Sequence, residues 1–151
     1  MLACGLVAGS TTGAREKQTI VVTDDGGRVL ARLVLDESQA FSLRYRNSLY
    51  GTLAEERFTV DRGRFRLEEL AAEQLAVLEE YYAVDEAAIR DATDDWYHAP
   101  PAYELELERL TVAATDLGER TILVEGLAPL PLWGLAADAS PFVHVKVEGG
   151  S

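Results

Sequence analysis

The chain has 151 residues, 48% of them hydrophobic, which is enough for one domain with a buried core and too apolar for a disordered chain. A formal net charge of −12 excludes a nucleic-acid or anionic-lipid binder, because phosphate recognition needs clustered Lys and Arg. The single cysteine, Cys4, excludes an internal disulfide, and no run is long and apolar enough to span a bilayer.

Residues 1–17 read as a tether or leader remnant. Leu2-Ala3-Cys4-Gly5 is similar to the end of a bacterial lipobox, and small uncharged residues follow it. This predicts an extracytoplasmic address, in the periplasm or at the cell surface, with lipidation of Cys4 as a membrane tether. The basic and apolar segments that precede such a cysteine are not in the sequence, so a chance match is the alternative.

Residues 18–148 read as one β-rich domain. Thr19–Thr23 is a short apolar strand, and Asp24-Asp25-Gly26-Gly27 is a hairpin turn. Val29–Leu35 returns from it, apolar in both phases, which predicts burial on two sides. Phe41, Leu43 and Tyr45 alternate with Ser42, Arg44 and Arg46. Asn47 and Ser48 then mark a turn. Glu55 and Glu56 open the next strand, and one of them faces inward beside Phe58 and Val60. Asp61-Arg62-Gly63 is a tight turn into Arg64–Leu67, so residues 41–70 form a three-strand meander.

Residues 70–92 fit two readings. Leu70, Gln74, Leu75, Leu78 and Tyr81 share a helical face, yet residues 75–84 also fit a strand with two aromatic positions. Asp85–Asp91 reads as a short helix capped by Asp85. The Pro100-Pro101 pair fixes residues 94–101 as a loop. Tyr103–Glu108 alternates, with Tyr103, Leu105 and Leu107 inward. Its outward Glu104, Glu106 and Glu108 are expected to oppose the Arg44/Arg46 or Arg64/Arg66 stripes. The phase shifts at Leu110 and Val112, predicting a bulge near Arg109. A strand at Thr121–Glu125, a Pro-rich edge carrying Trp133, and a last strand with Val143, Val145 and Val147 inward complete the chain. The predicted class is all-β, an antiparallel sandwich or partly closed barrel with one short helix near residues 85–92.

The passage Asn47-Ser-Leu-Tyr-Gly-Thr-Leu-Ala-Glu-Glu-Arg-Phe58 resembles a family of uncharacterised small β-rich bacterial proteins. Their genes often lie beside TAXI-class TRAP transporter permeases. Tyr45, Ser48, Glu55, Glu56 and Phe58 fit the family's motif; Asn47 stands where His is usual and Leu53 where Pro is usual. Leu78-Glu-Glu-Tyr-Tyr82 and Leu130-Pro-Leu-Trp133 are further similar elements. The resemblance implies an accessory or solute-handling role at the envelope, with TRAP transporter components or a small organic solute as partners. It also favours the strand reading of residues 75–83.

Tyr45, Asn47, Ser48, Glu56, Tyr81 and Tyr82 are expected to line one mouth of the fold as a ligand-binding site, with Glu55 and Glu80 beside them. Asn and Ser supply neutral donors and acceptors, and Tyr supplies an apolar face with a polar tip. The local alternative is that Asn47 and Ser48 cap a turn while Glu55 or Glu56 pairs with Arg44 or Arg57. His144 falls on an outward phase. His98 with Asp94 and Asp95 gives an alternative reading as a metal-dependent hydrolase, and Asp24/Asp25 or Asp91, Asp94 and Asp95 one as a calcium loop, though without EF-hand spacing. No nucleophile elbow, P-loop or dinucleotide fingerprint occurs. The expected function is therefore a non-enzymatic accessory or binding protein with no cofactor, no metal and no catalytic residue; a purely structural interaction module is a further alternative.

Overall fold

The structure is a computed structural model that describes residues 16–85, 87–136 and 140–149. Cys4 lies outside the described residues. The strands are β1 (Thr19–Thr23), β2 (Val29–Val34), β3 (Ala40–Arg46), β4 (Leu53–Asp61), β5 (Arg64–Ala72), β6 (Ile89–Arg90), β7 (Tyr97–Ala99), β8 (Glu106–Leu107), β9 (Arg109–Ala113), β10 (Thr121–Leu123), β11 (Leu130–Pro131) and β12 (Phe142–Val147). Among the described residues one α-helix, α1 (Leu75–Tyr82), follows β5, and a 3-10 turn spans Leu132–Gly134.

All pairings are antiparallel and make two sheets. One has the order β2-β1-β12-β9; the other runs β11-β10-β3-β4-β5-β7-β6, with β8 also on β5. Neither sheet closes into a barrel, so the sandwich alternative is the one observed. The core joins Ile20, Val22, Val112, Val143 and Val145 of the first sheet to Leu43, Phe58, Val60 and Phe65 of the second. Phe41 stacks on Phe58 at 5.3 Å and meets Phe65 edge-on at 5.4 Å, giving the middle of the sandwich its rigid centre.

The meander β3-β4-β5 follows the alternation read from the sequence. Its second turn places Arg62 and Gly63 at φ 49° and 75°, the two left-handed positions of a tight hairpin. In β5, Glu68 is the extra residue between the Arg57–Glu69 and Phe58–Leu67 pairs, so the bulge sits there.

Five expectations are corrected. Residues 94–101 are not all loop, since Tyr97–Ala99 pairs with β5 and β6 and the strand ends at the proline pair. The helix lies at residues 75–82, not 85–92: Leu, Ala and Glu are strong helix formers, and one helical turn buries Val77 and Leu78. It stops at Ala83, in the left-handed region at φ 51°. Within residues 85–92, Ile89–Arg90 instead pairs with β7. β2 is not buried on two sides; it is an edge strand, with Val29 and Val34 exposed. Tyr103 is exposed, and only residues 106–107 of the alternating acidic run pair as a strand. The phase shift near Arg109 is a change of sheet: β8 pairs with β5 in one layer and β9 with β12 in the other. The outward acids do meet arginines, those of β5 and its turn: Arg64 lies 3.1 Å from Glu108, and Arg66 2.5 Å from Glu104.

Candidate functional site

Glu55 and Glu56 are neighbours in β4, so the pleat sends them to opposite faces. Glu55 points away from the core but is only 5% exposed, because two guanidinium groups cover it. Arg44, its cross-strand partner, reaches Oε1 at 2.5 Å, and Arg57 donates to Oε2 at 3.0 Å. Arg57 continues to Glu69 at 2.7 Å, and Glu69 to His98 Nδ1 at 2.5 Å. Trp96 covers Arg44 at 5.8 Å. Glu55 therefore belongs to an outer-face ion-pair network, the local alternative foreseen for it.

Glu56 stands opposite Leu43 and faces the interior with Phe58. Among the described residues it receives one hydrogen bond, from Tyr82 Oη at 2.8 Å. Tyr82 Oη is also 2.8 Å from Tyr45 Oη. Since the Tyr82 proton goes to the carboxylate, Tyr45 donates to Tyr82, and the chain of bonds runs Tyr45 to Tyr82 to Glu56. Burial pushes the Glu56 carboxyl above its ordinary value, and the Tyr82 hydrogen bond and Arg120 charge offset this only in part. Burial likewise raises Tyr82, reinforced by the Glu56 charge. Both phenols are therefore neutral donors at neutral pH.

Tyr81 and Tyr82, at the end of α1, stand between two concavities. On one side is a cavity of about 400 Å³ lined by Phe58 and Leu67 of the sheet, Leu105 and Leu107 of the crossing segment, Leu110 of β9, and Glu56. On the other is a polar pocket of about 260 Å³ lined by Tyr45, Asn47, Ser48, Gly118 and Arg120. Both tyrosines line both spaces.

The expected single mouth is divided: Tyr45, Asn47 and Ser48 line the polar pocket, Glu56 lines the apolar cavity, and Tyr81 and Tyr82 line both. The structure also sets apart the other two candidates. Glu55 lies on the opposite sheet face, and Glu80 lies on the exposed side of α1, accepting from Tyr50 Oη at 2.8 Å. Asn47 is 3% exposed, and its Oδ1 accepts the backbone N–H groups of Leu49 at 3.0 Å and Tyr50 at 3.1 Å. Its oxygen shapes the turn rather than facing a ligand. Ser48 is exposed at the rim of the polar pocket.

Sequence reasoning missed Arg120 and the apolar lining from residues 101–110. Arg120 sits just before β10 with its guanidinium 5.2 Å from the Tyr45 ring centre. No local spacing pairs position 120 with position 45; only the β10–β3 register does.

The expected His98 cluster forms with a different member. Asp91, Asp94 and His98 each offer an atom within 4.8 Å of the others, whereas Asp95 pairs with Arg90 at 2.7 Å. Burial pulls the His98 ring down, but hydrogen bonds to Glu69 and Asp94 outweigh it and raise the pKa. Asp24 pairs with Arg28, and Asp25 with His144, so that turn holds no free acid pair. His144 also contacts Thr111 Oγ1 at 3.1 Å, which ties it into the sheet surface.

No family model, curated protein or solved structure matches the chain.

Proposed function

We propose that this chain is a non-enzymatic binding protein whose apolar cavity holds a small amphiphile, with the polar head on Glu56. The observation that carries this reading is a single inward carboxyl, with one internal hydrogen bond, in the wall of a cavity otherwise rich in leucine and aromatic side chains. Apolar walls with one or two placed polar groups are what small-molecule sites use for affinity and orientation. A head group that donates to Glu56 would complete its hydrogen bonding, while an alkyl or aromatic body would displace water from the leucines. An accessory role in solute handling beside a transporter accords with such a site.

The test is thermal denaturation and NMR titration with 1-octanol and octylamine. Saturable binding with a rise in Tm is expected for wild type, weakened by Glu56→Ala and blocked by Leu107→Trp, which fills the cavity. Failure of both probes to shift resonances of the cavity residues would end this reading.

A second reading is favoured by the convergence of Asp91, Asp94 and His98, with Glu69 on the other ring nitrogen of His98. A carboxylate behind a histidine is a frequent support for a metal ligand. On this reading a divalent ion binds at the β6–β7 turn and a hydrolytic role becomes open. Stoichiometric zinc in the purified protein, lost in His98→Ala, is the result it requires.

A further inference from the structure

Acids outnumber Lys and Arg 26 to 14 in this chain, so an arginine without a carboxylate stands out. Arg28, Arg32, Arg44, Arg46, Arg57, Arg62, Arg64, Arg66 and Arg90 each lie within 4.0 Å of an acidic oxygen. Among the other described arginines, Arg109 is exposed on β9. Arg120 is half-buried and has no acidic partner among the described residues. Its contacts are the face of Tyr45 at 5.2 Å and one long bond from Nη1 to the Ala113 carbonyl at 3.5 Å. The guanidinium stays within reach of water, since Thr52 Oγ1 is the one buried side-chain N or O atom without a partner among the described residues, and Glu56 lies close enough to interact with its charge. The Arg120 donors that remain have no acceptor among the described residues, and Arg120 lines the polar pocket.

We propose that the polar pocket binds a small organic carboxylate, paired with Arg120 and packed against Tyr45 and Tyr81. The planar guanidinium matches a carboxylate with two parallel hydrogen bonds. The Ser48 hydroxyl at the rim is a further donor. A space of about 260 Å³ admits a compact acid, and the aromatic walls favour one with a ring or short apolar body. Gly118 lets the guanidinium lie close to the backbone, since a Cβ there would be 3.1 Å from Arg120 Nη1. This site is a different space from the apolar cavity, although Tyr81 and Tyr82 line both.

Calorimetry at low ionic strength and pH 7 with benzoate, benzamide and inorganic phosphate tests the proposal. Benzoate is expected to bind wild type saturably, with benzamide at least about tenfold weaker because it lacks the charge-assisted pair, and phosphate at least about tenfold weaker because it lacks a ring to pack on Tyr45 and Tyr81. Arg120→Gln is expected to weaken benzoate by about 10- to 100-fold, and Arg120→Lys by less. Gly118→Ala, which shifts the end of the Arg120 side chain by a few tenths of an ångström and leaves its charge, is expected to weaken benzoate by less than Arg120→Gln does, and Arg120→Lys, which keeps the charge and loses the paired hydrogen bonds, decides the matter if Arg120→Gln does not fold. Absence of saturation in wild type overturns the proposal. So does equal affinity for benzamide or phosphate, and so does benzoate binding that neither Arg120→Gln nor Arg120→Lys changes. Octanol binding is expected to persist in Gly118→Ala, so failure of one site is distinguishable from failure of the other.

Discussion

Removing the Tyr82 hydroxyl tests whether the Tyr45–Tyr82–Glu56 chain is a working part of the fold. Tyr82→Phe keeps the ring that walls both spaces and deletes the oxygen 2.8 Å from Glu56 Oε1 and 2.8 Å from Tyr45 Oη. A hydrogen bond to an ionised group contributes about 1.5–3 kcal/mol and a neutral one about 1 kcal/mol. Glu56 fronts a cavity, and water entering it would replace part of the lost donation. The two sum to about 2.5–4 kcal/mol, and with water making up roughly a third to a half of that the expected loss at pH 7 is about 2 kcal/mol. For a chain of this size that is a fall in Tm of about 4–8 °C. At pH 4 the carboxyl is largely protonated and both lost bonds are neutral, so the loss shrinks to about 1 kcal/mol. Urea denaturation at both pH values gives the two numbers. A loss below about 0.5 kcal/mol at pH 7, within the usual scatter of surface substitutions, would refute the reasoning. So would an equal loss at the two pH values.

Three further outcomes follow from the same geometry. Burial raises the Glu56 pKa, so the native state keeps that proton to higher pH than the unfolded chain does; stability from this group is complete below its ordinary 4.5 and falls as pH rises through the native value. The stability of wild type relative to Glu56→Gln is therefore expected to decrease from pH 4 to pH 7, and an increase measured by urea denaturation would contradict the assignment. Glu55→Ala strands Arg44 and Arg57, but these are 41% and 35% exposed, so water screens them and the expected loss is about 2 kcal/mol rather than the 3–5 of a fully buried pair. Asn47→Ala is expected to cost about 1–2 kcal/mol in chemical denaturation, because two turn N–H groups lose their acceptor, and to leave octanol binding unchanged.

Much of the sandwich was legible because alternation is a local signal. The parity of Phe41, Leu43 and Tyr45, and of Val143, Val145 and Val147, places every one of these side chains in the core. The same parity identifies Glu56 as the inward acid beside Phe58. The helix was not legible, because residues 75–82 carry both a helical stripe and strand-like aromatics. What decided it is tertiary: Val77 and Leu78 are fully buried on the helix side facing the core. The sheet change between Leu107 and Arg109 was read as a bulge, since both events shift the phase by one residue and only partner strands tell them apart. Arg120 was invisible because its significance lies in a missing partner. Thirteen other cations share the sequence with it, and nothing in the sequence shows which of the acids each one meets.

The separation of Glu55 from Glu56 explains why one acid stabilises and the other is available. Two adjacent carboxyls in a strand cannot share an environment. The outer one found two guanidinium groups on its own sheet face and is satisfied by them. The inner one has no such partner on the core side, where its neighbours are Leu43 and Phe58, and it has to borrow a donor from α1. That borrowed donor, Tyr82, also lines the pocket that contains Arg120. The Arg120 charge acts on both Tyr45 and Glu56, favouring their ionised forms. An anion that neutralises Arg120 removes this influence and makes Glu56 more prone to hold a proton. A protonated Glu56 can itself donate to a head group in the apolar cavity.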